Sequence, residues 1–205
     1  MARTGRPREF DRDNALGAAL KLFWRQGYEP TSLSQLKEAM GGISPTSFYA
    51  AFGSKEQLFN EVVARYRVHE GSVTNVLRDE SLTPKEAIEM CLRQSARMQA
   101  DPSHPPGCLI IHGASNCGPE NEAVAASLQA ERSNNLQAIA AQISRAVNAG
   151  DIPKETDVEG LAVLFNTFLV GLSTSARDGA TAEQLEKAVD GMMRAWPQKS
   201  ADPFP

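Results

Sequence analysis

An all-α fold is predicted: an N-terminal three-helix unit containing a helix-turn-helix, followed by a helical bundle. Three features of the 205-residue chain carry that reading. Helix-start signals recur, each a Ser, Thr or Asp often answered by Glu or Gln three residues later. Behind them apolar residues fall at helical spacing. No stretch alternates apolar and polar residues as a half-buried strand would.

Residues 1–9 carry Arg3, Arg6 and Arg8 around Gly5 and Pro7. Gly and Pro favour an extended arm, which either lies in a DNA minor groove or is simply a solvated tail. Asp11 or Asp13 caps a first helix reaching about Gln26, with Leu16, Ala19, Leu20 and Phe23 as its buried stripe, and Gly27 stops it. Residues 31–58, TSLSQLKEAMGGISPTSFYAAFGSKEQL, hold the densest signal. Ser32 and Gln35 form a capping box, and Leu33, Leu36 and Met40 share one helix face. Gly41-Gly42 ends that helix, because glycine takes positive φ without penalty. Ser44 caps the next helix, with Pro45 at its first position, where a missing N–H costs nothing. Phe48 and Phe52 turn inward, leaving Thr46, Ser47, Tyr49 and Ala50 on the outer face or its edge. Gly53 breaks this helix, and Ser54 with Gln57 is a capping box for another, from Lys55 to about Glu70, with Leu58, Phe59, Val62 and Tyr66 inward. Two short helices about a glycine turn, the second with small polar residues outward, form a helix-turn-helix whose second helix enters the DNA major groove.

Residues 72–82 are a helix end or a loop. Thr83, Pro84 and Glu86 start a helix reaching about Ala100, and residues 101–107 (DPSHPPG) are a rigid loop. Residues 108–117, CLIIHGASNC, form a short apolar helix or turn. A long helix spans 121–149, with Val124, Leu128, Leu136, Ile139, Ile143 and Val147 largely on one side. Residues 157–178 are apolar around most of the circumference, which implies burial on more than one side. Thr181 and Gln184 box the start of a last helix reaching Trp196, striped by Leu185, Val189 and Met192, and 199–205 is a loose tail.

The formal charge of −4 hides an asymmetry. Residues 1–60 hold eight Lys/Arg against six Asp/Glu, and the remainder thirteen against nineteen. A mildly basic end on an acidic body suits a protein that touches DNA with one end only, although chance unevenness gives the same balance. Three cysteines make no disulfide scaffold. The N-terminus has no signal-peptide segment, and the apolar run 161–172, interrupted by Asn166-Thr167, is too short for a membrane span. A cytoplasmic protein without membrane association is expected.

Phe23, Gly27, Tyr28, Thr31, Ser32, Leu36, Ile43-Ser44, Phe48-Tyr49, Phe52, Ser54-Lys55-Glu56 and Leu58 match a known pattern at fixed spacing over nearly fifty positions. The chain resembles the TetR (tetracycline-repressor-like) family of bacterial transcription regulators. It departs in the turn, where Gly41-Gly42 replaces the usual single glycine, and near Ala50-Ala51, where the family often has His or Tyr. The resemblance implies domains at 1–54 (arm and helix-turn-helix), 55–198 (effector binding and dimerisation) and 199–205 (tail). It implies a homodimer, through the last two helices, that binds double-stranded operator DNA and answers a small-molecule effector. Tyr49 and Lys55 would contact phosphates. Thr31 and Ser44, at helix starts, suit an anion. Pro45, Thr46 and Ser47 face the groove, offering hydroxyls or a contact to a thymine methyl, while the Arg3, Arg6 and Arg8 arm adds charge.

Met98, Cys108, Ile111, His112, Asn116, Phe165 and Phe168 combine apolar bulk with a few polar groups; they line an effector pocket or are ordinary core packing. Phe165, Leu169, Leu185, Val189, Met192 and Trp196 are the expected dimer interface. Cys108 and His112, four apart, suggest an alternative: a thiol- or metal-responsive sensor, although the spacing matches no closed metal site. No metal site or cofactor is predicted. Nor is an enzyme: there is no nucleophile elbow, phosphate-binding Gly loop or HExxH, and Cys108 with His112 lacks a third orienting group, so a hydrolase-like or adaptor role without DNA binding is remote.

Overall fold

A computed structural model describes residues 11–199. Its α-helices are α1 (Arg12–Gln26), α2 (Leu33–Ala39), α3 (Pro45–Phe52), α4 (Lys55–Val68), α5 (Pro84–Gln99), α6 (Leu109–His112), α7 (Glu122–Ala149), α8 (Val158–Arg177) and α9 (Ala182–Met192). Three 3₁₀ segments, Glu70–Arg78, Pro119–Asn121 and Met193–Ala195, complete the secondary structure, and no strand occurs among the described residues.

The caps explain the starts. Asp11 caps α1 by accepting from the N–H groups of Asp13 and Asn14, while Asp13 sits in the first turn. Full capping boxes open α2 (Ser32/Gln35), α5 (Thr83/Glu86) and α9 (Thr181/Gln184). Each satisfies two N–H groups that a helix start otherwise leaves unpaired, and such a cap contributes about 1 kcal/mol. The box expected at α4 forms only half. Ser54 accepts from the Gln57 N–H, but the Gln57 side chain folds over Gly53, where a Cβ would stand 1.7 Å from Gln57 Oε1. α4 stops at Val68 rather than Glu70, and the chain tightens into 3₁₀ turns. Gly71 permits this, since a Cβ there would meet the Tyr66 ring at 2.7 Å.

Two apolar clusters form the interior. One joins α1–α4 to α6 and the start of α7, from Leu16, Phe23 and Phe59 through to Leu109, Ile110 and Leu128. The other gathers α5, the later part of α7, α8 and α9 around Ile88, Ile143, Phe165 and Trp196. The break expected between residues 54 and 55 is therefore not a break in packing: the first cluster runs across it.

Two expectations about α8 need correction. The helix extends over 20 residues, so by length and composition it is able to cross a membrane; the 161–172 run understated it. One face of it packs against α7, α5 and α9, while Val163 and Leu164 stay exposed on the other. The expected dimer-interface residues are also largely internal. Phe165 and Val189 are fully buried, Leu169, Leu185 and Trp196 nearly so, and Met192 half-buried against the second cluster. They fell on the inner stripe because the most apolar face of an amphipathic helix packs on its own core.

Trp196, 6% exposed with its ring 6.0 Å from that of Phe165, closes the second cluster. Trp196→Ala should lower unfolding free energy by about 3–5 kcal/mol in a urea titration. A loss near zero would contradict its placement in the core.

Candidate functional site: a helix-turn-helix face and a cavity behind it

The turn between α2 and α3 is built on left-handed backbone, with φ of 90° at Gly41 and 78° at Gly42. The second glycine of the turn is thus a second left-handed residue, which only glycine adopts freely. Amide bonds from Gly42 (2.9 Å) and Ile43 (3.3 Å) to the Lys37 carbonyl close the turn. Ser44 then caps α3 in extended conformation with Pro45 first in the helix. Phe48 and Phe52 are 1% and 3% exposed and pin α3 to the first cluster. Their burial turns Pro45, Thr46, Ser47 and Ala50 to solvent, and Tyr49 is 52% exposed.

Each hydroxyl on that face has a countable capacity. Ser44 Oγ accepts the Ser47 N–H at 3.1 Å, and the two serine Oγ atoms lie 2.9 Å apart. One hydroxyl proton is spent between them and the other is left to donate outward. Arg12, which sequence reasoning passed over, fixes the far end of α3: its guanidinium bonds Glu61 at 2.6 Å, reaches the Ala51 carbonyl at 3.3 Å and lies over the Phe52 ring.

Two expected phosphate contacts are placed differently. Thr31 is fully buried and its hydroxyl donates to the Gly27 carbonyl at 2.6 Å, so it holds the α1–α2 turn and does not reach an anion. Lys55 Nζ lies 4.3 Å from the Tyr28 ring centroid and 3.4 Å from the Glu29 carbonyl. Partial burial holds its pKa below the usual lysine range, with nearby Glu29 opposing that shift. Arg3, Arg6 and Arg8 lie outside the described residues.

Behind this face is a cavity of about 500 Å³, within the range of small-molecule sites. Of the expected lining residues, Met98, Cys108 and Ile111 are in its wall, while His112, Asn116, Phe165 and Phe168 are not. Phe165 and Phe168 pack into the second cluster, and Asn116 is exposed at the surface. His112 lies near Arg177 and the Ser173 carbonyl; burial, then Arg177, holds its pKa down. The residues missed are mostly polar: Tyr66 and Arg67 from α4, Ser95 and Gln99 from α5, Arg132 and Asn135 from α7. A polar residue on a helix reads as surface, so periodicity alone had no way to select them.

The cysteines do not converge. Cys108 Sγ receives the Tyr66 hydroxyl at 3.2 Å, Cys117 lies near Glu29 and Lys55, and Cys91 is 1% exposed in the second cluster. Burial raises the pKa of the Cys108 thiol and of Tyr66, and takes Cys91 to about 12. Among the described residues no group of three His, Cys, Asp or Glu is placed to hold a metal ion, so the Cys108/His112 metal alternative finds no donor set.

The cavity wall and the helix-turn-helix unit are joined by specific contacts. The Tyr28 N–H donates to the Gly113 carbonyl at 2.7 Å, just past α6. Trp24 Nε1 donates to the Gly107 carbonyl at 3.1 Å, and its ring stacks on His104 at 4.4 Å and meets the Tyr66 ring edge-on at 4.8 Å. Glu29 Oε2 accepts from Asn121 Nδ2 at 2.7 Å and the Gly118 N–H at 3.3 Å.

Against known families, residues 15–62 match the model of bacterial regulatory proteins of the tetR family. Residues 84–196 match the tetracyclin repressor-like C-terminal domain. The chain belongs to the TetR family. A curated TetR relative, the HTH-type transcriptional repressor ComR of Escherichia coli, is 35% identical over 95% of this chain and 92% of its own. The repressor BdcR of the same organism is 29% identical over 88% and 86%. A solved structure of CifR, a cysteine-substituted TetR regulator complexed with 26-bp double-stranded operator DNA, is 41% identical, covers 94% of this chain and all of its own, and superposes with a TM-score of 0.84. The protein is thus a helix-turn-helix transcriptional repressor of that family, and not an enzyme.

Nothing lies within 4 Å of a Cβ built on Gly41 or Gly42, so Ala there suffers from backbone strain alone. Gly41→Ala and Gly42→Ala should each cost about 1–2 kcal/mol in thermal melts. Neutral substitutions would mean the turn is not left-handed.

Proposed function

We propose that the repressor works as a homodimer that sets two α3 helices into a near-palindromic operator and lets go when a small molecule fills the cavity. The observation that carries this reading is that the cavity wall and the helix-turn-helix share α4, and that the wall's α6 touches the α1–α2 turn through Tyr28 and Gly113. An effector able to shift either helix changes the spacing of the paired α3 helices; it needs only different affinities for the two arrangements. Half-sites would lie about 34–36 Å apart, or a multiple of that.

The dimer surface is the outer face of α8 rather than the inner stripe. Val163 and Leu164 are 52% and 46% exposed, and Gly160, Thr167, Gly171 and Thr174 continue the same face without a charge. Exposed Ala188 and Gly191 on α9, with Ala195 beyond it, offer a second small-residue stripe for close helix approach.

On DNA, Tyr49 and the Arg3, Arg6 and Arg8 arm take phosphates, with Lys55 joining if it swings from Tyr28. Pro45, Thr46 and the Ser44/Ser47 hydroxyl pair meet base edges and the neighbouring phosphate. A thiol-responsive variant of this reading has one observation in its favour, Cys108 on the cavity wall, and opposes the raised pKa of that thiol. We infer a cytoplasmic location from this DNA-bound role.

Selection of bound sites from random duplex DNA should yield an inverted repeat. Tyr49→Phe should weaken all selected sequences alike, because a phosphate contact holds no base information, whereas Ser47→Ala should relax one position per half-site. Leu164→Glu should sediment as a monomer and enrich no inverted repeat. A dimeric Leu164→Glu protein, or enrichment of nothing by the wild type, would overturn the proposal.

A further inference from the structure

The cavity is basic although the body around it is acidic. We propose that the effector is a small organic anion, its acid head held at the wall by Arg78 and Arg132 and its body bearing a hydrogen-bond donor for Gln99. This rests on the cavity being the effector site and adds the chemical class.

The lining holds three arginines, Arg67, Arg78 and Arg132, against one carboxylate, Glu131. That ratio reverses the balance of residues 61–205, where thirteen basic residues face nineteen acidic ones. Arg67 is paired with Glu131 at 3.0 Å. Among the described residues Arg78 and Arg132 have no carboxylate partner. Arg132 Nη1 donates to the Ile110 carbonyl at 2.8 Å, and Arg78 Nη2 only approaches the Asn134 carbonyl at 3.5 Å. A guanidinium has five N–H donors in a planar fork matched to a carboxylate or phosphate, so most of that capacity remains for a ligand.

A second observation points the same way from the inner wall. Gln99 is 2% exposed and lines the cavity, and its Oε1 has no hydrogen-bond partner among the described residues. Leaving a buried polar atom unpaired costs about 1–3 kcal/mol, which a ligand N–H or O–H directed at Gln99 Oε1 would recover. The same cavity has Met98, Leu169 and Val170 in its wall, apolar surface for a short hydrocarbon body. The site therefore selects molecules that combine an anionic group, an aliphatic or aromatic body and a hydrogen-bond donor.

The test uses the full-length dimer with carboxylates (N-acetylleucine, para-hydroxyphenylacetate and hexanoate), the primary amide of each, and phenyl phosphate. Thermal melting and operator release are read together. Acids should raise the melting temperature and release operator, and their amides should not; phenyl phosphate against the carboxylates tells which acid head is preferred. Arg78→Gln should weaken the responding acids about 10- to 100-fold. Glu131→Gln, which removes the one lining carboxylate and frees Arg67, should tighten them. Amides that act as well as acids, or an Arg78→Gln protein with unchanged response, would overturn the anion class while leaving the effector site standing. Silence from acids, phosphate and amides alike would overturn both.

Discussion

The molecule depends on one hydrophobic cluster that ignores the boundary between its two functions. Phe23 and Phe59 meet edge-on at 5.0 Å, Tyr28 packs on both, and Leu109, Ile110, Val124 and Leu128 from the C-terminal half complete the same interior. Three short helices of 15, 7 and 8 residues cannot bury enough apolar surface to be rigid alone. They borrow it from α4, α6 and α7. The arrangement that stabilises the DNA-reading end is therefore the same one that exposes it to events in the cavity.

Polar contacts then give that shared interior a direction. Tyr28 and Trp24 bond to the carbonyls of Gly113 and Gly107, one on either side of α6, and Glu29 bonds to Gly118 and Asn121 before α7. Buried backbone bonds of this kind tolerate little displacement without loss. A shift of α6, which carries Ile110 and Ile111 in the cavity wall, must either drag the α1–α2 turn or break them. On the outer side α3 is capped at its start by Ser44 and braced at its end by Arg12.

Much of this was legible in residue order, and the failures have physical causes. Caps and glycines placed most helix boundaries within a residue or two, because Ser32, Ser44, Thr83 and Thr181 act locally. The outward set Pro45, Thr46, Ser47 and Tyr49 followed from the spacing of Phe48 and Phe52. Thr31 and Lys55 did not follow, since whether a hydroxyl or ammonium faces solvent depends on neighbours across the fold. The same holds for the cavity: Tyr66, Gln99 and Arg132 come from three helices and look like core, surface and surface along the chain. For α8, periodicity identified two apolar sides but not which would meet its own core, so Phe165 and Leu169 were assigned outward while Val163 and Leu164 hold that place.

Native-state hydrogen exchange tests the shared interior most directly. If the DNA-binding helices and the cavity wall form one cooperative unit, the amides of Tyr28, Leu58 in α4 and Gly113 after α6 open with a common free energy. An opening of Tyr28 and Leu58 several kcal/mol easier than that of Gly113 would mean the helix-turn-helix unfolds on its own, contradicting a core held in common.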